Sequence, residues 1–341
     1  MKSLGHALAG FGLALHILPM SKQEDSKAAP RRVRKGTAKA DDAALAEFEL
    51  RPDPSDPHLT ERVEGVDQDG QAVETAVVVE RPLTLFLNGQ EIVTMMTIGD
   101  YPDYLAVGYL LNQNMLRPDD VIEGIDYDEE LEVVVVRTER ETDYEEKLKK
   151  KVRTSGCAQG TVFGDLMEKF ETVKLPRDAV LKTSWLASLS KKINAAPSLY
   201  LEAGAIHGCV LCQGDRPLLY MEDVGRHNAV DKIAGYMLLH KIAPEDKIFY
   251  TTGRLTSEMV IKTVQMGIPI LVSRSGFTAW GVDLAKQAAH PVDHPARSGL
   301  GGYDAFAVVG DTGQGGEPGS VQPGPAGGAV GDRVGEFRPS C

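Results

Sequence analysis

The sequence predicts an α/β protein: a mixed, partly parallel sheet flanked by helices, with a β-rich N-terminal part. Three observations predict it. Strand-like and helix-like segments alternate through roughly the last hundred patterned residues, which places helices on the faces of a sheet. Asn88-Gly89 separates two β-rich segments and is a strong hairpin signal. Hydrophobic residues make up 42% of the 341 positions and charged residues 25%, ordinary globular usage with enough apolar material for a sizeable core. The length fits one or two domains.

Residues 1–60 read as a mostly disordered N-terminal extension. Its one apolar run, Leu8–Leu18, is shorter than the roughly 20 residues a bilayer span needs. A basic flank and a small-residue cleavage site are missing, so the expected location is the cytoplasm, with Met20 as an alternative start. Residues 21–45 are charged, small and poor in large apolar side chains, the composition of a disordered segment.

Residues 61–150 form the β-rich part. Pattern begins near Val63. Ala76–Glu80, Leu83–Leu87 and Glu91–Met96 read as strands, and Asp103–Gln113 has apolar residues at helical spacing before Pro118-Asp119-Asp120 breaks it. Leu131–Val136 reads as a buried strand, and the charged run Glu139–Lys151 as a solvated helix or connector.

Residues 151–310 form the α/β core. Gly164–Phe170, Lys182–Asn194, Ala229–His240, Ser257–Met266 and Thr278–Gln287 read as helices. Ala205–Leu211, Pro217–Glu222, Lys247–Thr251 and Ile268–Ser273 read as strands. Such sheets take ligands in the crevice at the carboxyl ends of strands. Residues 311–341 are a Gly/Pro-rich tail with hardly any large apolar residues, expected to be disordered.

The charge balance excludes whole function classes. With 37 Lys and Arg against 49 Asp and Glu, the net charge is -12, the wrong sign for broad binding to nucleic acid or to an anionic membrane. A local basic pocket for one anionic ligand remains compatible. Four scattered cysteines fit a reducing compartment rather than a disulfide scaffold.

Five segments can carry chemistry. In Ser155-Gly156-Cys157-Ala158-Gln159-Gly160, a cysteine between glycines follows the basic residues Lys149–Lys151 and Arg153. Positive charge nearby favours the nucleophilic thiolate, although a cysteine can equally serve as a small turn residue. Cys209-Val210-Leu211-Cys212 has metal or redox spacing, but it lies in a strand-like run. Residues three apart there point to opposite faces, so two core cysteines are the better reading, with His207 as polar lining. In Met221–Lys232, seven of twelve residues are charged, His or Asn, packed between a strand and a helix. Asn228 can cap the helix, Glu222 or Asp223 can orient His227, and Arg226 and Lys232 can meet phosphate oxygens; caps and ion pairs are the plainer alternative.

Thr251–Glu258 and Ser273–Thr278 are two further strand-to-helix junctions rich in Arg, Ser, Thr and Gly. Three such junctions in one half suggest a phosphorylated ligand lying across one sheet edge. None has the spacing of a P-loop or a dinucleotide fingerprint.

Taken in order, Arg81–Met96 (RPLTLFLNGQEIVTMM), the SGCAQG loop, Gly204–Cys212 (GAIHGCVLC), Glu222–Lys232 (EDVGRHNAVDK), Thr251–Lys262 (TTGRLTSEMVIK) and Gly267–Thr278 (GIPILVSRSGFT) resemble the formate dehydrogenase accessory sulfurtransferase family, FdhD. The resemblance spans roughly residues 65–288. EDVGRHNAVDK is its most specific element. It implies a cytidine-deaminase-like mixed sheet flanked by helices, a homodimer, and sulfur accepted from a cysteine desulfurase as a persulfide. It further implies delivery of that sulfur to the bis(molybdopterin guanine dinucleotide) form of the molybdenum cofactor, which formate dehydrogenase receives. The resemblance places the persulfide on Cys157. Arg226, His227, Arg254 and Arg274 are expected to line the cofactor pocket, Gly253 and Ser273 to allow close backbone approach, and Glu222 and Asp223 to orient the basic residues.

The chain departs from the family pattern twice. Many members carry a second cysteine three positions after the first, where this chain has Gly160, so Cys157 acts alone or with a thiol from elsewhere. The family also continues after its last helix with a strand like LTLIGFARG and a final strand like RMNVYT, whereas this chain reads AAHPVDHPARSGLGGYDAFAVV. Codons for His290–Arg297, read one nucleotide later, can spell Thr-Leu-Leu-Ile-Thr-Arg-Arg-Gly, so the expectation is a chain out of frame from about Ala289. Resequencing the gene settles that point, since DNA intact in the present frame sinks it. In the present frame the cofactor segment falls on Leu300, Gly301, Gly302, Tyr303, Asp304 and Ala305, without the family's arginines.

Two rivals accompany the sulfur-carrier expectation. One is a molybdenum-cofactor-binding chaperone without sulfur transfer, which the missing second cysteine favours. The other, a zinc deaminase, lacks the His/Cys-x-Glu and Pro-Cys-x-x-Cys elements and is set aside.

Overall fold

The computed structural model describes residues 46–67, 69–140, 152–154, 160–176, 179–289, 296–300 and 303–309. Residues 1–45, most of the charged run 139–151, Cys157 and the rest of 155–159, Gly301, Gly302 and the 311–341 tail lie outside the described residues.

Asn88 and Gly89 hold φ at 54° and 101°, the paired positive values of a tight hairpin turn. They join β3 (Arg81–Leu87) to β4 (Gln90–Thr97). Alternation in β3 sends Leu83, Leu85 and Leu87 to the core. β3 also pairs parallel with β6 (Val133–Thr138), and β6 pairs antiparallel with β5 (Ile122–Asp128), giving a sheet of order β4-β3-β6-β5. Sequence patterning misses β5, because IEGIDYD is acidic and largely exposed and a bulge between Ile122 and Gly124 breaks the alternation of the two isoleucines that pack on the core.

Helix α1 (Pro102–Asn112) lies on this sheet through Leu105, Ala106 and Leu110. A two-stranded ribbon of β1 (Thr60–Val66) and β2 (Ala72–Val78) precedes β3. Residues 46–59, at the end of the N-terminal extension, hold turns and a single bridge. Leu50 pairs beside Leu219, and Tyr220 donates its amide to the Leu50 carbonyl at 2.9 Å, which covers a sheet edge. Backbone pairing of that kind needs no apolar periodicity, so it leaves little trace in the sequence.

The larger sheet has the order β10-β9-β11-β12-β14-β13. Its strands are β9 (His207–Gln213), β10 (Arg216–Asp223), β11 (Lys247–Thr251), β12 (Ile270–Ser273), β13 (Ala296–Leu300) and β14 (Tyr303–Val309). Only the β11–β12 pair is parallel among its described pairings. Both faces are covered, which explains the near-continuous apolar runs. One face meets α5 (Arg226–Leu239), α6 (Ser257–Gln265), α7 (Ala279–Ala289) and Phe170 of α2 (Phe163–Thr172). The other meets α3 (Thr183–Ala195) through Leu186, Leu189 and Ile193. A four-residue helix, α4 (Leu199–Glu202), precedes β9. The two short strands β7 (Val152–Thr154) and β8 (Gly160–Val162) pair antiparallel, with Thr154 opposite Gly160. The expected mixed sheet flanked by helices, with a β-rich N-terminal part, is what the structure has.

Candidate functional site

The strand registers bring the three junctions to one end of the larger sheet. Asp223 lies opposite His207, Thr251 opposite both Cys209 and Ser273, and Ser273 opposite Phe306. This is the carboxyl end of β10, β11 and β12, where open sheets take ligands. Backbone register carries Tyr303, Asp304 and Ala305, with Leu300 paired to Tyr303, past Ser273 to the same end.

Arg226 opens α5 and is 7% exposed. Gly253 makes room beside it: a Cβ on Gly253 would stand 3.5 Å from Arg226 Cδ and 3.6 Å from His207 Nδ1. Burial lowers the His207 pKa, and the Arg226 and Arg254 cations lower it further. His227 is buried and held well below the usual imidazole range by burial, then by Lys262, Arg226 and His207. Its Nε2 faces Glu258 Oε2 on α6 at 3.4 Å. The result is a half-buried basic corner with two neutral imidazoles, a setting suited to oxyanion oxygens. Arg254 is exposed beside it.

Not every predicted residue joins this corner. Arg274 turns toward α3 and α4, donating from Nη1 to Asn194 Oδ1 at 2.6 Å and lying 5.8 Å over the Tyr200 ring. Ser273 is fully buried: its hydroxyl donates to the Gly253 carbonyl at 2.8 Å and accepts the amides of Ser275 and Gly276. It laces two loops together.

Three sequence expectations for the EDVGRHNAVDK segment are corrected. Lys232 cannot meet a phosphate, because it is fully buried and bonded to Asp100, Asp223 and the Glu222 carbonyl. Asn228 is not the cap; Gly225 holds that position, and Asn228 Nδ2 donates to Asp223 Oδ1 at 2.9 Å and to the Met96 carbonyl at 2.7 Å. The carboxylate facing His227 is Glu258 rather than Glu222 or Asp223. Glu222 anchors α4, accepting the Leu199 amide at 2.7 Å, while Asp223 organises Lys232, Asn228 and the Gly225 amide. Sequence reasoning missed Thr97 and Asp100, which carry no local motif, and it placed Glu258 in the Thr251–Glu258 junction without reading its role beside His227.

The Cys-x-x-Cys pair behaves as core. Both thiols are free and fully buried, Cys209 in the cluster under α5 and Cys212 in the cluster under α3. Burial pushes the Cys209 thiol up to about 12 and raises Cys212 as well.

These features define a mixed α/β protein with a basic corner at the carboxyl end of a doubly covered sheet. The profile of the FdhD/NarQ family matches residues 78–298, and the chain belongs to that family. A protein of Bacillus pumilus named sulfur carrier protein FdhD is 31% identical over 213 residues, 62% of this chain and 81% of that one. The protein of the same name from Wolinella succinogenes is 32% identical over 227 residues, 63% of this chain and 75% of its own. A crystal structure from Desulfotalea psychrophila, assigned as a formate dehydrogenase accessory protein, superposes with a TM-score of 0.54 at 27% identity, covering 68% of this chain and 89% of that one. No helix among the described residues is long and apolar enough to cross a membrane.

Proposed function

We propose that this protein carries sulfur for the maturation of formate dehydrogenase, with Cys157 as the carrier thiol. One observation carries this most directly. The family match contains three cysteines, Cys157, Cys209 and Cys212, and the last two are sealed on opposite faces of the sheet with raised pKa values. Cys157 is the thiol left for chemistry within the matched region. The relatives' name, sulfur carrier protein, supports the same role.

In this mechanism a cysteine desulfurase in the cytoplasm supplies a persulfide. The Cys157 thiolate attacks its outer sulfur, a new S–S bond forms on Cys157, the donor's S–S bond breaks, and the donor cysteine leaves as a thiolate. The recipient substrate is the bis(molybdopterin guanine dinucleotide) molybdenum cofactor, an anionic cargo. The residues present suit its diphosphates: Arg226 and Arg254 supply charge, neutral His207 supplies a hydrogen bond, and the missing Gly253 side chain leaves space between Arg226 and His207. Those residues bind and orient the cargo.

The test is intact-protein mass spectrometry after incubation with a cysteine desulfurase and cysteine, wild type beside Cys157→Ala. A reducible gain of one sulfur, lost in the variant, is the expected result. A wild type that gains no sulfur on Cys157, together with a variant that still activates formate dehydrogenase, transfers the assignment to a cofactor chaperone without sulfur chemistry. Gly160, in place of a second loop cysteine, is the observation favouring that alternative.

A further inference from the structure

We infer that Lys232, together with Asp100 and Asp223, is a positioning residue that makes the N-terminal sheet unit part of the ligand corner. The inference rests on the reading that Arg226 and His207 form that corner.

Asp223 is saturated by four donors. Its Oδ2 accepts from Thr97 Oγ1 at 2.5 Å and Lys232 Nζ at 2.6 Å, and its Oδ1 from the Gly225 amide at 3.0 Å and Asn228 Nδ2 at 2.9 Å. Lys232 also bonds Asp100, immediately before Tyr101, which holds a left-handed φ of 48° at the start of α1. Burial lowers the Lys232 pKa, but the facing Asp100 and Asp223 carboxylates outweigh it and raise it overall. Asn228 ties the same turn to the Met96 carbonyl.

Asp223, Asn228 and Lys232 therefore tie the 223–226 turn to β4 and the β4–α1 junction. One helical turn along, Asn112 of α1 and Lys262 of α6 both bond Asp231. A buried ion pair is weak evidence for stability, because desolvation offsets the attraction. What it does impose is geometry: a carboxylate with four fixed donors admits few arrangements of the backbone around it. Arg226 begins three residues after Asp223, so its place beside His207 follows from the network.

The experiment reads the His207 imidazole by NMR titration in wild type, Arg226→Gln, Lys232→Met and Thr97→Val. The charged groups that set the His207 titration are Arg226, Arg254 and Asp223. Arg226→Gln raises the His207 pKa by removing a neighbouring cation. Lys232→Met, checked for folding by circular dichroism, produces an upward shift comparable to that of Arg226→Gln. Thr97→Val removes one donor from Asp223 and gives a smaller shift in the same direction, which keeps the test alive if Lys232→Met does not fold. A folded Lys232→Met or Thr97→Val protein that loses stability while His207 titrates as in wild type overturns the inference, as does an Arg226→Gln variant without a shift. Failure of sulfur loading on Cys157 would leave these titrations unchanged, so the two ideas fail separately.

Discussion

Glu222 sits beside Leu199, 1% exposed, with the Leu199 and Tyr200 amides and the Tyr220 hydroxyl as its donors. Burial outweighs these bonds and raises its pKa from 4.5 to about 7. The folded protein therefore keeps a proton on Glu222 in a window where the unfolded chain has lost it. The associated stability is fully present below pH 4.5 and is lost as pH rises through about 7. The loss amounts to about 3 kcal/mol at most. Glu222→Gln keeps an acceptor for the Leu199 amide but cannot titrate. Urea unfolding at several pH values should show this component of the decline between pH 4.5 and 7 in wild type and its absence in the variant.

At the scale of elements, the crossing of α1 and α5 is set by two glycines. A Cβ on Gly108 would lie 1.7 Å from the Asp231 carbonyl oxygen, and one on Gly235 would lie 2.0 Å from the Tyr104 carbonyl oxygen. Backbone meets backbone there, so neither helix can yield by a rotamer change. α1 is buried on several sides because its sheet covers one face and α5 another. The close approach is also what lets Asn112 reach Asp231 at 2.7 Å. Gly108→Ala should destabilise the protein by about 3 kcal/mol or separate the helices, measured as a lowered denaturation midpoint.

At the scale of the molecule, the four-stranded and six-stranded sheets each have their own apolar cluster, yet charged groups run between them. Detaching the N-terminal unit would strip Asp100 and Thr97 from Lys232 and Asp223 and expose the apolar faces of α1 and α5 to water, a cost of several kcal/mol. The two units should therefore unfold together. Scanning calorimetry should show one transition whose calorimetric and van't Hoff enthalpies agree. Two resolved transitions would show that the Asp100–Lys232 and Gly108–Gly235 contacts do not couple them.

Much of this protein was legible before folding was considered. The Asn88-Gly89 turn, the strand and helix order of the second half and the opposed faces of Cys209 and Cys212 all follow from local periodicity, which a chain displays residue by residue. The ordered motifs identified the family. Tertiary structure decided the partners. Thr97 meets Asp223 across 126 positions and Asp100 meets Lys232 across 132, separations at which no local pattern survives. That is why Lys232, a plausible phosphate ligand by residue type, proved to be a buried tether, and why Arg274 turned to the other side of the sheet. The sequence by itself determined which elements form and which residues are chemically able. Only the tertiary packing decided which of them are tied up in buried pairs and which stay near the sheet end, because side-chain charge is a local property and its compensation is not.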